Sequence, residues 1–593
     1  MTSILLDSVR ALGHAPLVLR TVVDHLRDDP AVLGLQISRR LPLAARVGLG
    51  RLAESLPARP GVVLGAMGLA AAGRHVDLLE HVEAVLPSAG APDRVRLADV
   101  LTAAQEPDRA QAVLDAVPVD TPGLAAARAR VAWHRGDVEA AISLLGGTGR
   151  DGVVRARFAS EVRALRGGAL PLPRADRDRA VGYRPRPGSA LFVLTNSLPH
   201  TGSGYAQRSH SLACALRDEG WHVEAVTRLG WPVQTGVLTA ARRDMVDGIV
   251  YHRLLPSSLA RGFDGRLAQH ARMLLDLVLE RRPAVLHTTT HWVNAVVTRA
   301  VAEAVGVPWV YEVRGQLADT WASTRGPEAL RSDRYALFTA REDDAVRSAD
   351  GVVTLGEQMA RRIAAAGMDR DAVVLSPNGV GGAFLEEPAP REDARRRLGL
   401  SMDDEIVGTV SSVVPYEGLD DLVRAVAALV DERPRLRLAV VGDGVALPAL
   451  RRLAADLGIE DRLLAPGRVD RSLAPVWHQA LDVFCVPRKD TGVTRAVTPM
   501  KPLEAMATSR PVLVSDLPAL SEIVEDGVTG RVLPAEEPEA WAAALAALLD
   551  DPAAARGLGA RAREWVLGHR TWAANARRYD ALYRRLGVTA PSA

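Results

Sequence analysis

Through the first 165 residues, apolar positions recur every third or fourth residue, a period that predicts one amphipathic helix after another. Three segments share one grammar of helix, short turn and second helix: A-A-A-G-R-H-V-D-L-L-E-H-V from Ala70, A-A-Q-E-P-D-R-A-Q-A-V-L from Ala103, and A-W-H-R-G-D-V-E-A-A-I-S-L-L from Ala132. A spacing of about 30 residues fits a repeat array in which each pair buries its face on the next, and an irregular helical bundle reads the same way. Residues 166–189 carry Pro171, Pro173, Pro185 and Pro187 among Gly and Arg and are expected to be a linker.

From residue 190 the pattern becomes strand, loop, helix, repeated. Short apolar, partly β-branched runs occur at 190–197, 222–229, 249–255, 284–290, 309–315, 351–355 and 372–376, and a second series at 405–413, 437–442, 463–469, 481–486, 511–515 and 530–533. Continuous apolar strands separated by helices predict parallel sheets covered on both faces. The expected fold class is α/β: two doubly wound domains, 190–385 and 386–570, facing a cleft and preceded by an all-α domain over 1–165. Residues 571–593 are expected to form a C-terminal helix crossing back to the first of the two. Ligands of such sheets lie beyond the carboxyl ends of the strands.

Composition narrows the chemistry. Formal net charge is +2, which gives no global electrostatic case for nucleic acid. Cys214 and Cys485 are the only cysteines, and each sits in an apolar run, so buried thiols in a reducing cytoplasm are expected rather than a disulfide. The N-terminus lacks the basic and apolar regions of a signal peptide, and the longest apolar stretch, 61–73, is too short to span a bilayer. The expected location is cytoplasmic, with peripheral contact at the inner face of the plasma membrane left open. No His/Cys cluster has metal-ligand spacing, so neither metal nor cofactor is expected.

Arg is the default cation: of 73 Lys plus Arg, only Lys489 and Lys501 are lysines, both within Val486–Ala507. Lys501 stands three residues before Glu504, so at helical spacing the two share a face. A cation and a carboxylate at the mouth of an α/β cleft suit a sugar nucleotide, the cation for diphosphate and the carboxylate for ribose hydroxyls. A surface ion pair is the plainer alternative. Thr498 is a candidate cap, with Pro499 and Pro502 suiting the helix start, and Arg488 and Arg495 add charge from the preceding loop.

Other loops are candidates of lower specificity. Gly202, Ser203 and Gly204 join a strand to a helix, where backbone N–H groups approach an anion or make a plain turn. Gly442, Asp443 and Gly444 form a glycine turn, and Gly467 and Val469 end another strand; such loops line a nucleotide site or serve ordinary turns. His287 and His291 flank a strand end. Glu312 and Arg314 share one face of the next strand, either as acceptor contacts or as a buried pair fixing the loop.

These residues together resemble the retaining family-4 glycosyltransferases of GT-B fold, from about Ala190 to the C-terminus. The resemblance is carried by P-Y-E-G-L-D-D-L, V-V-G-D-G, P-G-R-V and V-T-P-M-K-P-L-E-A-M-A-T-S-R-P-V-L-V-S-D. It is closer to a bacterial polysaccharide-type subgroup sharing Y-E-V-R-G, Y-E-G-L-D and V-T-P-x-K-P-L-E-A-M-A. The helical pairs of the N-terminal region resemble degenerate tetratricopeptide repeats and lie outside it. The family resemblance implies transfer of a sugar from a nucleoside diphosphate to a hydroxyl with retention, by front-face chemistry that needs no strong protein base. Glu504 would then contact donor ribose.

The chain departs from the family pattern at three places. Ala496 stands where a first glutamate is usual, and Ser412 and Glu417 stand where Arg and Lys usually hold the pyrophosphate. The expectation is that Arg488, Arg495 and Lys501 supply that charge from the opposite loop, with Lys501, Arg495 and His287 as the catalytic set. The expected partners are a nucleotide-sugar donor, a glycan or lipid-linked acceptor, and a protein docking through residues 1–165. The alternative is a sugar-nucleotide-binding scaffold of little or no turnover.

Overall fold

The computed structural model describes residues 13–23, 58–168 and 170–589. Within the N-terminal region the helices pair as the spacing predicts: Ala58–Ala72 with His75–Val85, Ala91–Ala103 with Pro107–Asp115, and Leu124–Arg135 with Val138–Ser143. The first helix of each pair packs on the first helix of the next, which is the stacking of a repeat array rather than of a closed bundle. Leu78, Val82, Leu97, Leu101, Leu114 and Val131 form its continuous core.

Eight strands make the first sheet: β1 Ser189–Leu194, β2 His222–Thr227, β3 Arg243–Val246, β4 Ile249–Arg253, β5 Val285–Thr289, β6 Trp309–Val313, β7 Gly351–Thr354 and β8 Val373–Leu375. Their order is β3-β4-β2-β1-β5-β6-β7-β8, parallel except for the β3–β4 pair. Helices Phe263–Arg281, Trp292–Val305 and Asp333–Ser348 cover one face, and Gly204–Asp218 with Trp572–Arg585 cover the other. The second sheet has β9 Glu405–Val410, β10 Leu436–Val441, β11 Leu463–Gly467, β12 Val483–Val486, β13 Val512–Ser515 and β14 Arg531–Leu533, all parallel, in the order β11-β10-β9-β12-β13-β14. Chain order reverses between β1 and β5 in the first sheet and between β9 and β12 in the second. Those two reversals fix where each sheet opens a crevice.

One expectation needs correction. Residues 166–189 are no free linker: Leu172 and Ala180 enter the core of the first sheet, and the Tyr183 hydroxyl donates to the Pro283 carbonyl at 2.7 Å. The repeat unit is likewise seated on that domain. The Ser160 hydroxyl accepts from the backbone N–H of Phe263 at 2.7 Å and so caps a helix of the neighbouring domain, while Arg163 grips Asp264 at 2.7 and 2.9 Å. Arg334 lies over Trp133 of the repeat unit and Trp321 of the sheet domain and pairs with Glu161 at 2.6 Å.

The C-terminal helical stretch divides into Pro552–His569 and Trp572–Arg585. Between them the chain passes from the second domain to the first, alongside the outward crossing: Val380 N donates to Arg570 O at 2.8 Å and Trp572 N to Val380 O at 3.1 Å. The last helix then docks through Ala576, Tyr579 and Tyr583, and Asp580 accepts from the Trp221 indole at 3.0 Å. Cys214 is half-buried and Cys485 buried, and both are free thiols. Among the described residues no helix is long and apolar enough to cross a membrane.

Candidate functional site

The loops after β9 and β12 meet at the reversal of the second sheet. Gly418 sits at φ +67, where a Cβ would overlap the Pro487 carbonyl, so the two loops lie backbone on backbone. That contact brings Glu417, at the end of the 3-10 turn Pro415–Glu417, beside Arg488. Arg488 donates to the Glu417 carboxylate at 3.0 and 3.3 Å and to the Val497 carbonyl at 2.9 Å. Lys501 donates its ammonium to Glu417 Oε1 at 2.9 Å. Burial pushes the Glu417 carboxyl up, but the charges of Arg488 and Lys501 more than reverse this and hold it down at about 2. Burial lowers the Lys501 ammonium, opposed by Glu417. Two cations thus share the Glu417 carboxylate at the crevice, and the Glu504 carboxylate also acts on the Lys501 charge.

The remaining donor-side residues distribute around this cluster. Helix Lys501–Ala507 starts from Met500 with no side-chain cap, so Thr498 is not its cap; Thr498 instead offers its carbonyl to Asn378 Nδ2 at 2.7 Å, across the domain boundary. Glu504 does not pair with Lys501. Its nearest basic partner is His478 Nε2 at 3.6 Å, and the carboxylate keeps about a quarter of its surface. Arg495 lies on a separate short helix, Gly492–Ala496, capped by Thr491, and its exposed guanidinium pairs with Asp490 at 2.6 Å. It therefore stands apart from the Lys501 cluster. Lys489 is taken by Asp420 at 2.8 Å. Ala496 packs against the apolar core of the first domain.

The loop of Gly442, Asp443 and Gly444 presses its backbone on Ser411 and Val413, where any Cβ would collide with their carbonyls; Val413 N donates to Asp443 O at 3.1 Å. Asp443 and Ser412 are exposed on this rim; Gly467 ends the neighbouring strand β11 and Val469 follows it in the loop, both half-buried.

On the facing side, Ser203 caps helix Gly204–Asp218 by accepting from Ala206 N at 3.3 Å, while Gly202 and Gly204 are exposed. A Cβ on Gly204 would lie 3.9 Å from Met500 Cε, so this loop looks directly at the segment preceding Lys501. His291 is half-buried at the start of helix Trp292–Val305, where its Nδ1 accepts from Val293 N at 3.3 Å.

His287, expected in the catalytic set, is interior structure, and Glu312 and Arg314 form the buried pair that was one of their two readings. His287 and Glu312 are wholly buried. Glu312 receives Arg208 at 2.6 Å, Arg314 at 2.7 Å and His287 Nε2 at 3.4 Å, while His287 Nδ1 meets the Tyr583 hydroxyl at 2.8 Å. Burial raises the Glu312 carboxyl, yet the two guanidinium charges hold it well below its usual range. The imidazole stacks on Phe192 at 4.4 Å and has no route to a ligand. Arg208, absent from the sequence-based set, is the hub: it also donates to Ser376 O at 2.6 Å and to Asn378 Oδ1 at 3.0 Å. Through Asn378 this network reaches Thr498 and so ties the two domains.

Comparison with known proteins agrees with this architecture. Residues 203–379 match the family described as glycosyl transferase 4-like domain, and residues 390–565 match glycosyl transferases group 1. The D-inositol 3-phosphate glycosyltransferase of Kineococcus radiotolerans is 30% identical over 426 residues, covering 67% of this chain and 94% of that protein. The GDP-mannose-dependent alpha-(1-6)-phosphatidylinositol monomannoside mannosyltransferase of Mycolicibacterium smegmatis is 33% identical over 258 residues, 42% of this chain and 66% of that one. Among solved structures, sucrose-phosphate synthase of Thermosynechococcus elongatus shares the fold with a TM-score of 0.55 at 22% identity, covering 67% of this chain and 99% of that one. Anabaena HepE in complex with UDP does so with a TM-score of 0.52 at 17% identity, covering 67% and 100%. With two such domains closing on a cleft and a relative matched across nearly its whole length, the chain belongs to the group 1, family-4-type glycosyltransferases of GT-B fold, with an all-α domain ahead of the two Rossmann-like domains.

Proposed function

We propose that the chain transfers a sugar, with retention and without a metal, from a nucleoside-diphosphate sugar to a hydroxyl of a glycan or lipid-linked acceptor in cell-surface glycan synthesis. The observation that carries this reading is the meeting of Lys501 and Arg488 on the Glu417 carboxylate at the β9/β12 reversal. A diphosphate leaving group gains negative charge as the glycosidic bond breaks, so a fixed, partly desolvated cation beside it stabilises the transition state more than the ground state. Glu504, one turn along from Lys501 with its carboxylate still accessible, is placed for ribose hydroxyls. The repeat unit, seated on the acceptor domain, would present a partner or a membrane surface near the acceptor.

A second reading is favoured by Glu417, which occupies both cations: the chain binds a sugar nucleotide without turning it over. One assay separates the two. A thermal-shift screen of UDP-, GDP-, ADP- and dTDP-sugars identifies the donor, and release of its nucleoside diphosphate is followed with and without candidate acceptors. The transferase reading expects release that Lys501→Ala reduces about 100-fold or more, in line with loss of a preorganised charge. Equal release by mutant and parent refutes the role of Lys501. Tight binding without release by the parent supports the scaffold.

A further inference from the structure

The repeat unit lies outside both family matches, yet its last helical pair reaches the cleft through an unbroken series of contacts. Helix Asp333–Ser348 of the first sheet domain packs on Val138–Ser143 and Gly149–Arg166 of the repeat unit. Its first turn is clasped there. Arg334 N donates to Gly136 O at 3.0 Å, and its guanidinium lies 5.0 Å from the Trp133 ring and 5.6 Å from the Trp321 ring. Trp133 is itself fixed by stacking on Phe158, with ring centroids 4.1 Å apart. Gly136 sits at φ +97, and a Cβ there would lie 2.7 Å from Trp321 Cη2 and would overlap the Ser332 hydroxyl. That hydroxyl caps helix Asp333–Ser348 by accepting from Tyr335 N at 3.3 Å. One turn of the repeat thus touches both the cap of this helix and the segment after β6.

The same helix carries that segment toward the second domain. Glu342 accepts from the N–H groups of Leu317 at 2.9 Å and Ala318 at 3.4 Å, and the Tyr335 hydroxyl donates to Asp319 at 2.6 Å. A helix of six residues, Leu317–Ala322, does not hold its shape alone, so these contacts set where it lies. Its other side packs on Gly492–Ala496 of the second domain. A Cβ on Gly315, just ahead of it, would lie 3.7 Å from Val497 Cγ2. The Val497 carbonyl accepts from Arg488 at 2.9 Å and the Thr498 carbonyl from Asn378 at 2.7 Å, and the helix of Lys501 begins three residues further on. The small helix is therefore held between the repeat unit and the segment that leads into the two cations on Glu417.

We propose that Trp133 and Gly136 of the repeat unit, with Arg334 and Trp321, are positioning residues for sugar transfer. They hold helix Leu317–Ala322 against residues 492–497, which fixes the spacing of the two domains beside Lys501 and keeps water from the bound donor. A donor held by the second domain alone is still bound when this spacing is lost, but its sugar is no longer aligned with an acceptor on the first. The part concerning transfer rests on the transferase reading; the mechanical coupling from Arg334 to residues 492–496 does not.

The test compares the full chain with Arg334→Gln on the sheet side and Trp133→Ala on the repeat side, so that either serves if the other fails to fold. The first measurement is amide hydrogen exchange without ligand. Both variants should exchange about tenfold faster than the parent at residues 317–322 and at 492–496, through local opening, while helix Ala91–Ala103 keeps the parent's rate. The second is kinetic, with the four sugar nucleotides of the thermal-shift screen as donors and octyl glucoside, octyl galactoside and octyl mannoside as hydroxyl acceptors. Transfer should fall about tenfold to a hundredfold, the range for a small misplacement made far from the chemistry. Affinity for the nucleoside diphosphate, read by calorimetry, should be unchanged, and the share of donor lost to water should rise. Arg334→Lys, which keeps the charge without the planar group between the two rings, should fall between parent and Arg334→Gln in both measurements. The proposal is overturned if exchange at 492–496 matches the parent in the folded variants, if transfer is undiminished, or if transfer and diphosphate affinity fall together. Should the parent release nucleoside diphosphate from no donor, the transferase reading fails on its own, and exchange at 492–496 still decides whether the repeat unit holds the cleft.

Discussion

Replacing Glu417 by Gln tests the charge arrangement at the crevice. The folded carboxyl is held at about 2 against an ordinary 4.5, and a gap of that size corresponds to about 3 kcal/mol in favour of the ionised, folded form. Removing one partner of a buried ion pair costs about 3–5 kcal/mol, so the two routes agree. Because the folded pKa lies below the unfolded one, this stabilisation is fully present above pH 4.5 and is lost as pH falls toward 2. Glu417→Gln should therefore be about 3 kcal/mol less stable than the parent at pH 7. For a domain of this size that is a melting transition lowered by about 6–12 °C. The gap should narrow steadily below pH 4.5.

Melting of parent and variant by calorimetry at pH 7, 5 and 3 reads this directly. A second arm adds inorganic pyrophosphate. With Glu417 neutral, Lys501 and Arg488 face the added anion without an internal competitor, so pyrophosphate should recover more of the variant's melting temperature than it adds to the parent's. A difference under about 1 kcal/mol at pH 7, or one that stays constant down to pH 3, refutes the claim that Glu417 is ionised and carries both cations.

Two further predictions use other buried acids and domain contacts. Glu342 accepts from the N–H groups of Leu317 at 2.9 Å and Ala318 at 3.4 Å, yet burial raises it to about 7; its folded pKa exceeds the unfolded one, so it costs stability increasingly as pH climbs from 4.5 to 7. Glu342→Gln should accordingly match the parent near pH 4.5 and exceed it by up to about 3 kcal/mol at pH 8, measured by denaturant midpoints. Glu522 of the second domain accepts from Glu357 and Gln358 N–H, both at 3.1 Å, and so caps helix Glu357–Ala365 of the first. Glu522→Ala should cost about 0.5–2 kcal/mol and speed hydrogen exchange at those two amides; unchanged exchange there counts against the cap.

Much of the sheet architecture could be read from the chain because parallel strands buried on both faces leave uninterrupted apolar runs. β3 was not legible: R-D-M-V is a four-residue antiparallel edge strand that exposes Arg243 and Met245 and turns Asp244 toward the buried Arg253, with no apolar alternation to mark it. The repeat turns at Gly73, Glu106 and Gly136 fall where the pattern places them. The proline-rich stretch misled, since composition reports backbone preference and not the apolar anchors Leu172 and Ala180 that pin it down. Side-chain roles were less legible than strands. Period-two alternation put Glu312 and Arg314 on one face but could not say that the face is sealed by Tyr579 and Tyr583, which arrive from the far C-terminus. Arg208 left a usable signal: it shares a helical face with Leu212 and Leu216, an arginine on an apolar stripe that requires a buried carboxylate. Arg495 and Lys501 are near neighbours in sequence, but a separate capped turn divides them.

The twin passages between the Rossmann-like halves have a mechanical consequence. Because Val380 is bonded on either side to Arg570 and Trp572, the outgoing and returning strands act as one short ribbon, not as two separate tethers. A paired ribbon bends across its width more readily than it twists, so this link favours hinge bending between the halves over free rotation, with the Gly202–Gly204 turn facing the segment before Lys501. The same returning passage delivers Tyr579 and Tyr583 to the first half, so the link that aligns the halves and the helix that completes the first one's core are one continuous segment.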